Sequence, residues 1–336
     1  MNQNVKSTNV PVALIFFARP DLLKKTFSAI RENKPKQLFL IQDGPRYDKP
    51  DDVKKIQLCR DIVDDIDWDC QVYRNYSEVN LGCGKRVSTG VTWAFQYVDR
   101  LAVIEDDCVA SEGFFIFCSE ILERYRDDER VDMISGMNNL GRYDDVPYDY
   151  FFSESGSIWG WATWKRVWDK IDFDLNFLDD PYASNLLKES YGKRLVDRCI
   201  SMREKISRGA KISSWSLQRG VNMYLNSGLI VVPKRNLITN IGLSDDGANS
   251  VSSIKMIPRG LRKIYFMRIY SIDFPLKHPP FVIADTIYSK RLNRIMGTSG
   301  WLLMTYRRAE SILYRLIFLD QRLIRKAISF LKVEPK

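Results

Sequence analysis

The chain has few of the residues and segments that build metal knuckles, disulfide frameworks and membrane spans. It contains one histidine, His278, and six cysteines, which show no CxxC spacing. This pattern favours reduced thiols packed as small hydrophobic side chains over a zinc knuckle or a disulfide framework. No apolar run approaches the ~20 residues that cross a bilayer. The run VALIFFA ends on Arg19 without a cleavage site behind it, so we expect a cytoplasmic protein.

Charge is distributed unevenly along the chain. The 336 residues include 51 Lys and Arg and 42 Asp and Glu, for a net charge of +9, and 45% of the residues are hydrophobic. Residues 251–336 hold 17 of the basic and 5 of the acidic residues, a net charge of +12, which leaves the first 250 residues at −3. This change of net charge near residue 250 predicts a globular part over residues 1–250 and a basic, mostly helical extension over residues 251–336.

Strand-like and helix-like segments alternate in the first half of the chain. Short β-branched and aromatic runs such as VPVALIFFA, QLFLIQDGP, WDCQVYRN, LAVIEDD and VDMISG predict strands. The segments between them, such as RPDLLKKTFSAIREN and EGFFIFCSEILERYRDD, show helical spacing of apolar residues. The alternation predicts an α/β fold with a mostly parallel central sheet flanked by helices, similar to a Rossmann fold.

Polar residues follow the predicted strands at the point where each strand ends. Arg19 follows the first strand, Asp43 the second, residues 80–85 the third, and three consecutive acids the fourth. Because ligands of such folds bind at the carboxyl ends of the strands, we expect these residues to share one site.

The acidic triplet Glu105, Asp106 and Asp107 allows two interpretations. Adjacent carboxylates repel one another, and their pairing at a strand end favours a bound divalent cation. Acids after a strand are also common in solvated turns and helix caps, and Ser111 begins a helix here. The residues alone leave both interpretations open.

Several segments, taken in order, resemble nucleotide-sugar glycosyltransferases of the GT-A fold. IEDDCVASEGFF is similar to the acidic signature whose last acid ligates Mn²⁺ or Mg²⁺, and ISGMNN follows it as in that family. LIQDGPR and VALIFFARPDLLKKTFSAI resemble the base-reading and first-strand segments of the N-acetylglucosaminyltransferase I type. IWGWATWKRVW and residues 213–247 resemble the acceptor half of bacterial family 2-like transferases. The resemblance implies a GT-A domain with a nucleotide and metal half over residues 10–140 and an acceptor half over residues 141–250.

The resemblance and the residue chemistry together assign the donor side of the site. Asp107 is expected to ligate the metal, Asp106 to face the ribose or a metal-bound water, and Glu105 to orient the loop. Asp43 is expected to read uracil. The remaining candidates for contacts with the nucleotide and its phosphates are Ala18, Arg19, Asn80, Gly82 and Lys85.

The acceptor side is predicted from aromatic residues and unplaced acids. Trp161, Trp164 and Trp168 have helical spacing and favour a core position, whereas Trp159, Gly160, Trp161 and Trp215 are candidates for the wall that contacts a sugar. No acid occupies the ISSWSLQ segment where the resembled families place a catalytic base, and its serines are not bases near neutral pH. Candidate bases are therefore Glu154, Asp245 and Asp246. A retaining mechanism or a chain without efficient turnover stays open.

Two further features are interpreted from chemistry. His278 is more often a structural group in such a setting, but it is kept as a candidate metal or phosphate contact. The last helical region places Leu302, Ala309, Leu313 and Leu316 near helical spacing with arginines between them. This pattern predicts packing combined with contact to an anionic membrane face, and no nucleic-acid binding.

The sequence thus predicts a metal-dependent, membrane-peripheral glycosyltransferase of bacterial surface polysaccharide synthesis. The donor is expected to be a UDP-sugar, and the acceptor a saccharide or a lipid-linked saccharide. Two alternatives are a sugar-phosphate nucleotidyltransferase and a non-catalytic protein that binds sugar nucleotides. The sequence defines neither the donor sugar, nor the linkage, nor the oligomeric state.

Overall fold

The structure, a computed structural model, describes residues 10–212, 214–243 and 254–317. Its strands are β1 (Val12–Phe16), β2 (Gln37–Gln42), β3 (Gln71–Tyr76), β4 (Arg100–Glu105), β5 (Cys108–Ala110), β6 (Val131–Ser135), β7 (Tyr150–Ser153), β8 (Trp161–Trp164), β9 (Leu229–Pro233) and β10 (Ile238–Asn240). Its α-helices are α1 (Pro20–Asn33), α2 (Asp51–Asp64), α3 (Cys83–Ala94), α4 (Glu112–Arg124), α5 (Lys165–Trp168), α6 (Pro181–Tyr191), α7 (Lys193–Ser207), α8 (Ser216–Leu225), α9 (Arg259–Arg262), α10 (Thr286–Met296) and α11 (Trp301–Ile317).

Eight strands form one central sheet in the order β3-β2-β1-β4-β8-β6-β9-β7. The first four strands of that order pair in parallel, and β9 pairs in parallel with β6. Strand β8 is antiparallel to β4 and β6, and β7 is antiparallel to β9. The chain therefore has the predicted α/β architecture with a mostly parallel central sheet flanked by helices.

The central strands are apolar along their whole length because helices cover both faces of the sheet. All five residues of β1 are buried, and neighbouring residues of the strand enter opposite layers of the core. Leu14 packs in the layer that contains α1 and α4, whereas Ala13 and Ile15 pack in the layer that contains α3. In α1 the buried residues Leu23, Phe27 and Ile30 recur at helical spacing and form the stripe that meets the sheet.

A second, two-stranded sheet joins distant parts of the chain. Strand β5, directly after the acidic triplet, pairs antiparallel with β10, so that Cys108 lies opposite Asn240. The pairing places the segment that follows β10 beside the end of β4. It is the element that brings the second half of the chain to the acidic residues.

The described part of the basic extension contributes to the core. Ile264 and Leu276 join the layer of α1 and α4, and Tyr288 and Leu292 of α10 join the layer of α3. The division at residue 250 stays a prediction. None of the helices in the described residues is long and apolar enough to cross a membrane.

Trp161, Trp164 and Trp168 are buried, as their predicted core position requires, but they do not lie on one helix. Residues Trp161–Trp164 form strand β8, so the helical spacing of Trp161, Trp164 and Trp168 does not mark one helix. Trp161 is 2% exposed and packs against Trp168 and Trp215, with ring centroids 5.9 Å and 4.9 Å away. A ring enclosed in this way is a core group, and the prediction that Trp161 contacts a sugar is wrong.

We predict that Trp161→Ala lowers the free energy of unfolding by about 3–5 kcal/mol, because it opens a large cavity among packed rings. Urea denaturation of the full chain measures the change. Trp159→Ala is the matched control, since Trp159 is only partly buried beside Tyr265, and its loss should be clearly smaller. Equal losses in the two variants would contradict the core position of Trp161.

Candidate functional site

The polar residues at the ends of β1, β2 and β4 meet at the carboxyl edge of the sheet, as predicted. They line a cavity of about 140 Å³, here called the edge pocket. Because the three strands are parallel neighbours, their carboxyl ends emerge side by side. The polar or charged residues that line the edge pocket are Arg19, Asp43, Arg46, Asn80, Arg86, Glu105 and Asp106.

Arg19 ties the acidic triplet to the end of β1. Its guanidinium binds both oxygens of Asp106 and donates to Oδ2 of Asp107 over 3.0 Å. The backbone amide of Phe17 donates to Asp106 Oδ2 at 3.1 Å, and the hydroxyl of Thr26 donates to the carbonyl of Asp106 at 3.0 Å. Asp106 is 2% exposed, so this carboxylate is a fixed structural partner of Arg19. The fork geometry is the one in which arginine binds carboxylates best.

Asp107 is held from the opposite side by the segment after β10. Asn240 Nδ2 donates to Asp107 Oδ1 at 3.1 Å, and the amide of Ile241 donates to the Asp107 carbonyl at 2.8 Å. A Cβ atom at Gly242 would lie 2.1 Å from Asp107 Oδ2, so only glycine allows this close approach. Asn240 and Gly242 are not among the predicted site residues, because nothing local in the sequence indicates that they reach residue 107.

Negative charge at the triplet exceeds the positive charge that faces it. Burial, together with Asp107 and Asp106, raises the pKa of Glu105 to about 8, and Arg19 opposes that rise. Burial also raises the pKa of Asp106, against the attraction of Arg19. Arg19 pairs with Asp106 and Asp107 only, and a proton on Glu105 relieves part of the repulsion at neutral pH, which a bound cation would also do.

The loop after β3 is organised by Asp43. Its Oδ1 accepts hydrogen bonds from the amides of Gly44 and Leu81, at 3.0 Å and 2.8 Å. Its Oδ2 accepts from Asn80 Nδ2 and from the amide of Gly82, at 3.1 Å and 2.9 Å. These four bonds use the acceptor capacity of a carboxylate. The contact of Asp43 with the nucleotide base uracil stays a prediction. It would require the base to replace one of these four hydrogen-bond donors.

Two arginines of the edge pocket were not among the predicted site residues. Arg46 pairs with Asp52, with 2.7 Å between Nε and Oδ2, and its guanidinium lies over the ring of Phe17. Arg86 is 4% exposed and binds Asn75, and burial lowers its pKa. Within the described residues its Nε has no hydrogen-bond partner. Arg86 directly follows Lys85, which was predicted to contact phosphate. Neighbouring residues of a helix point in different directions, so Lys85 is exposed whereas Arg86 faces the sheet.

Other predicted nucleotide contacts divide between two surfaces. Asn80 and Gly82 line the edge pocket, whereas Ala18 is buried and is not among its lining residues. Lys85 is exposed on the outer side of α3 and lines a different cavity. The structure therefore separates Lys85 from the arginines of the edge pocket.

The predicted catalytic bases are not brought to the triplet within the described residues. Ser153 pairs with Ile230 near the start of β9, so Glu154 follows β7 at the amino edge of the sheet, opposite the acidic residues. The prediction that Glu154 serves as the base is wrong, because β7 runs antiparallel to its neighbour. Asp245 and Asp246 lie outside the described residues, as does Ser213 of the ISSWSLQ segment. The segment described before this gap ends at residue 243, directly after Gly242, which contacts Asp107.

The predicted sugar-binding wall is only partly accessible. Gly160 lies against Ile238, and Trp215 is 2% exposed beneath Trp161 and Trp168, which makes both mainly packing residues. Trp159 is half-buried and packs on Tyr265, with 5.0 Å between ring centroids. Of the four predicted wall residues, Trp159 retains the most accessible ring.

His278 lies away from the acidic triplet. Its Nδ1 is 2.9 Å from the hydroxyl of Tyr150, and its Nε2 is 3.2 Å from Oε1 of Glu120 near the end of α4. Helix α4 begins beside β5, so its far end is directed away from the site. The prediction that His278 contacts the metal or a phosphate is wrong, since both ring nitrogens have structural partners.

In the part of the chain that the structure describes, the acidic triplet offers carboxylate ligands but not a complete metal site. Among the described residues no three His, Cys, Asp or Glu side chains are grouped as a complete metal cage. Mg²⁺ and similar ions commonly take one or two carboxylates from the protein and the remaining ligands from water and phosphates. Asp107 and Glu105 are the carboxylates of the triplet that would supply such ligands, and Glu105 would have to release the proton that its raised pKa favours.

Comparison with known proteins gives a limited result. No protein-family model matches the chain, and no curated protein matches it. The structure is similar to one described as the inositol-1-phosphate CTP transferase from T. maritima, with a TM-score of 0.35 and 13% identity. The match covers 69% of this chain and 89% of that chain. A likeness of this size supports no statement about the activity of the present chain.

We predict that His278→Gln changes the acid stability of the chain, because His278 is a partly buried structural group between Tyr150 and Glu120. Burial and Arg124 lower the pKa of His278 below its ordinary 6.5. The unfolded chain therefore takes up this proton first, and stability is lost as the pH falls through 6.5. His278→Gln should weaken that acid loss in urea titrations between pH 7 and pH 5. An acid loss of the same size in the variant and the wild-type chain would contradict this role of His278.

Proposed function

We propose that the chain is a metal-dependent glycosyltransferase that takes a sugar from a nucleotide-sugar, most favourably a UDP-sugar. The observation that carries the proposal is the meeting of Arg19, Arg86 and the acidic triplet at one sheet edge, beside the loop organised by Asp43. A nucleoside diphosphate needs both cationic side chains and a divalent cation, and this edge offers the residues for both. The edge pocket itself, about 140 Å³, is smaller than most ligand sites and would hold only part of the nucleotide. The acceptor is a saccharide or lipid-linked saccharide of a bacterial surface polymer.

Each side chain has a separate task in this proposal. Asp107 and Glu105 hold Mn²⁺ or Mg²⁺, which when bound neutralises charge on the leaving diphosphate. Arg19 keeps Asp106 fixed and positions Asp107 for this contact. Arg86, buried at the pocket wall with an unpartnered Nε, stabilises the negative charge of the nucleotide. The amides of the 80–82 loop, aligned by Asp43, bound the nucleotide side of the pocket.

The acceptor hydroxyl requires a base if the reaction inverts configuration. With Glu154 at the opposite edge of the sheet, Asp245 and Asp246 remain the proposed candidates. The segment that leads to them, residues 240–242, contacts Asp107 directly, which supports this choice.

A nucleotidyltransferase is the second candidate, and the name of the CTP transferase described above belongs to that class. Such an enzyme would also use a divalent cation and an α/β sheet. A nucleotidyltransferase normally carries a glycine-rich basic loop after its first strand. Here Arg19 and Pro20 lead straight into α1, which favours the glycosyltransferase.

We predict that Asp107→Asn weakens Mn²⁺-dependent binding of UDP by at least about 100-fold, because even outer-sphere partners of a metal commonly contribute 10–100-fold. Calorimetric titration with UDP, GDP, CDP and dTDP, each with and without Mn²⁺, measures the effect. Asp169→Asn is the control, because Asp169 is an exposed acid that pairs with Lys165. Metal-independent binding, or unchanged binding by Asp107→Asn, would contradict the proposed metal site.

The products of turnover separate the candidate functions. Release of UDP from a UDP-sugar in the presence of Mn²⁺ supports the glycosyltransferase. Release of pyrophosphate from a nucleoside triphosphate and a sugar phosphate supports the nucleotidyltransferase. Binding of UDP-sugar without either product, over a full panel of UDP-sugars and saccharides, supports a non-catalytic sugar-nucleotide-binding protein.

Helix α11 supports attachment of the enzyme to an anionic membrane surface. Its apolar residues face outward, with exposures of 71% for Trp301, 67% for Leu302 and 54% for Leu313. Its one acid, Glu310, is 7% exposed and pairs with Arg307 on the inward side. This orientation is the reverse of an ordinary surface helix, and an apolar face without acids fits the interface of a bilayer with anionic lipids.

We predict that Leu313→Asp reduces binding to phosphatidylglycerol vesicles by at least about tenfold, since one buried leucine contributes about 1.5–3 kcal/mol. Co-sedimentation of the full chain measures binding, with phosphatidylcholine vesicles as the charge control. Leu186→Asp on α6 is the matched variant, because Leu186 is 48% exposed on another surface. Failure of the wild-type chain to bind either kind of vesicle would overturn the membrane proposal.

A further inference from the structure

A second and larger cavity lies between α3 and the chain that runs from the end of α7 into α8. Its volume is about 650 Å³, within the ~300–1,000 Å³ of most ligand sites, and we call it the α3 cleft. Its lining residues combine aromatic, hydroxyl and amide side chains. They include Ser88, Thr89, Thr92, Trp93, Phe173 and Gln218.

Gln218, on α8, lines the α3 cleft, and within the described residues its side-chain oxygen Oε1 lacks a hydrogen-bond donor. The side chain is 5% exposed, and its Nε2 donates to the carbonyl of Phe173 at 3.4 Å. Its Oε1 is buried and, within the described residues, accepts no hydrogen bond. A buried amide oxygen without a partner is costly; Oε1 has almost no accessible surface, so a ligand's O–H or N–H donor reaches it only when the Gln218 side chain turns towards the cleft.

The α3 wall of the cleft is also rich in acceptors. Ser88 and Thr89 both donate their hydroxyl protons to the carbonyl of Lys85, at 3.0 Å and 2.8 Å, which leaves their oxygen lone pairs for a ligand. Thr92 accepts from Trp168 Nε1 at 2.8 Å, so its own proton is available to a ligand oxygen. The wall thus suits a molecule with many hydroxyl groups, each able to donate and accept.

Aromatic rings supply the apolar part of the cleft. Trp93 and Phe173 are both partly exposed at the cleft, and Trp215 forms its floor. Saccharides offer apolar C–H faces for such rings and hydroxyl groups at their edges, and this combination is present here. A phosphate-rich ligand would instead need converging cations. Lys85 and Lys211 are the only lysines or arginines that line the cleft in the described residues, and Lys211 binds Asn80.

The two walls of the cleft are joined where it approaches the edge pocket. The amide of Gly84 donates to the carbonyl of Ile212 at 3.0 Å, which joins the two walls at that end. Asn80 lines both cavities, so a ligand that fills the cleft ends next to the edge pocket. This placement is the one required of a molecule that receives a group from a donor in the edge pocket.

We infer that the α3 cleft binds a neutral oligosaccharide through stacking on Trp93 and Phe173 and through a hydrogen bond to Gln218 Oε1. The identification of this oligosaccharide as the acceptor rests on the proposed glycosyltransferase function. The binding itself does not depend on that function.

The test is a screen of the full chain against an array of neutral oligosaccharides, followed by calorimetry and tryptophan fluorescence with those that bind. At least one is expected to bind the wild-type chain. Gln218→Met should weaken its binding about threefold to tenfold, the value of one hydrogen bond, without loss of thermal stability. Ala210→Trp, which fills the cleft from its exposed wall, should abolish binding. Gln57→Met is the matched control, because Gln57 is exposed on α2.

Three results would overturn the inference. They are the absence of binding to any oligosaccharide of the array, binding that is unchanged in Ala210→Trp, and loss of UDP binding in Ala210→Trp, which would place a nucleotide in the cleft. Failure of the proposed function has a different signature. In that case saccharides bind and Ala210→Trp abolishes their binding, while neither nucleotides nor metal bind at the edge pocket.

Discussion

One guanidinium pairs with two of the three carboxylates that the chain places on consecutive residues. Arg19 binds Asp106 with its fork and reaches Asp107, and each of these contacts joins the end of β1 to the end of β4. Without this cation the buried carboxylates would have to take up protons or separate, because burial and mutual repulsion both disfavour their charges. The carboxyl edge of the sheet, and with it both the edge pocket and the neighbouring loops, depends on this ion pair.

A second constraint is the repeated use of a carboxylate as an acceptor for backbone amides. Asp43 fixes residues 80–82 through such bonds, and this loop then forms the common wall of the edge pocket and the α3 cleft. Asn80 therefore contributes to the walls of both cavities. A change in the conformation of the loop would alter both cavities at once, which is an arrangement suited to a reaction with two substrates.

The sequence predicts the parts of the site that follow from parallel strands. Arg19, Asp43 and the triplet were found because carboxyl ends of neighbouring parallel strands meet, and apolar runs mark those strands clearly. Glu154 and Trp161 were misplaced because their positions depend on the antiparallel strands β7 and β8, which are only four residues long and carry no distinct period. The contact between Asn240 and the triplet depends on the pairing of two short strands that lie far apart in the chain, and no local pattern records it.

The pairing of β5 with β10 has a consequence for how the site is built during synthesis. Asp107 and its partner Asn240 are separated by 133 residues, so the contact closes a very long loop. Such contacts form late, since the chain must first lose the entropy of that loop. A nascent chain that has emerged only as far as α7 already contains all three acids of the triplet. It lacks the partner that orients Asp107, and the site is completed only after the second half of the chain has left the ribosome.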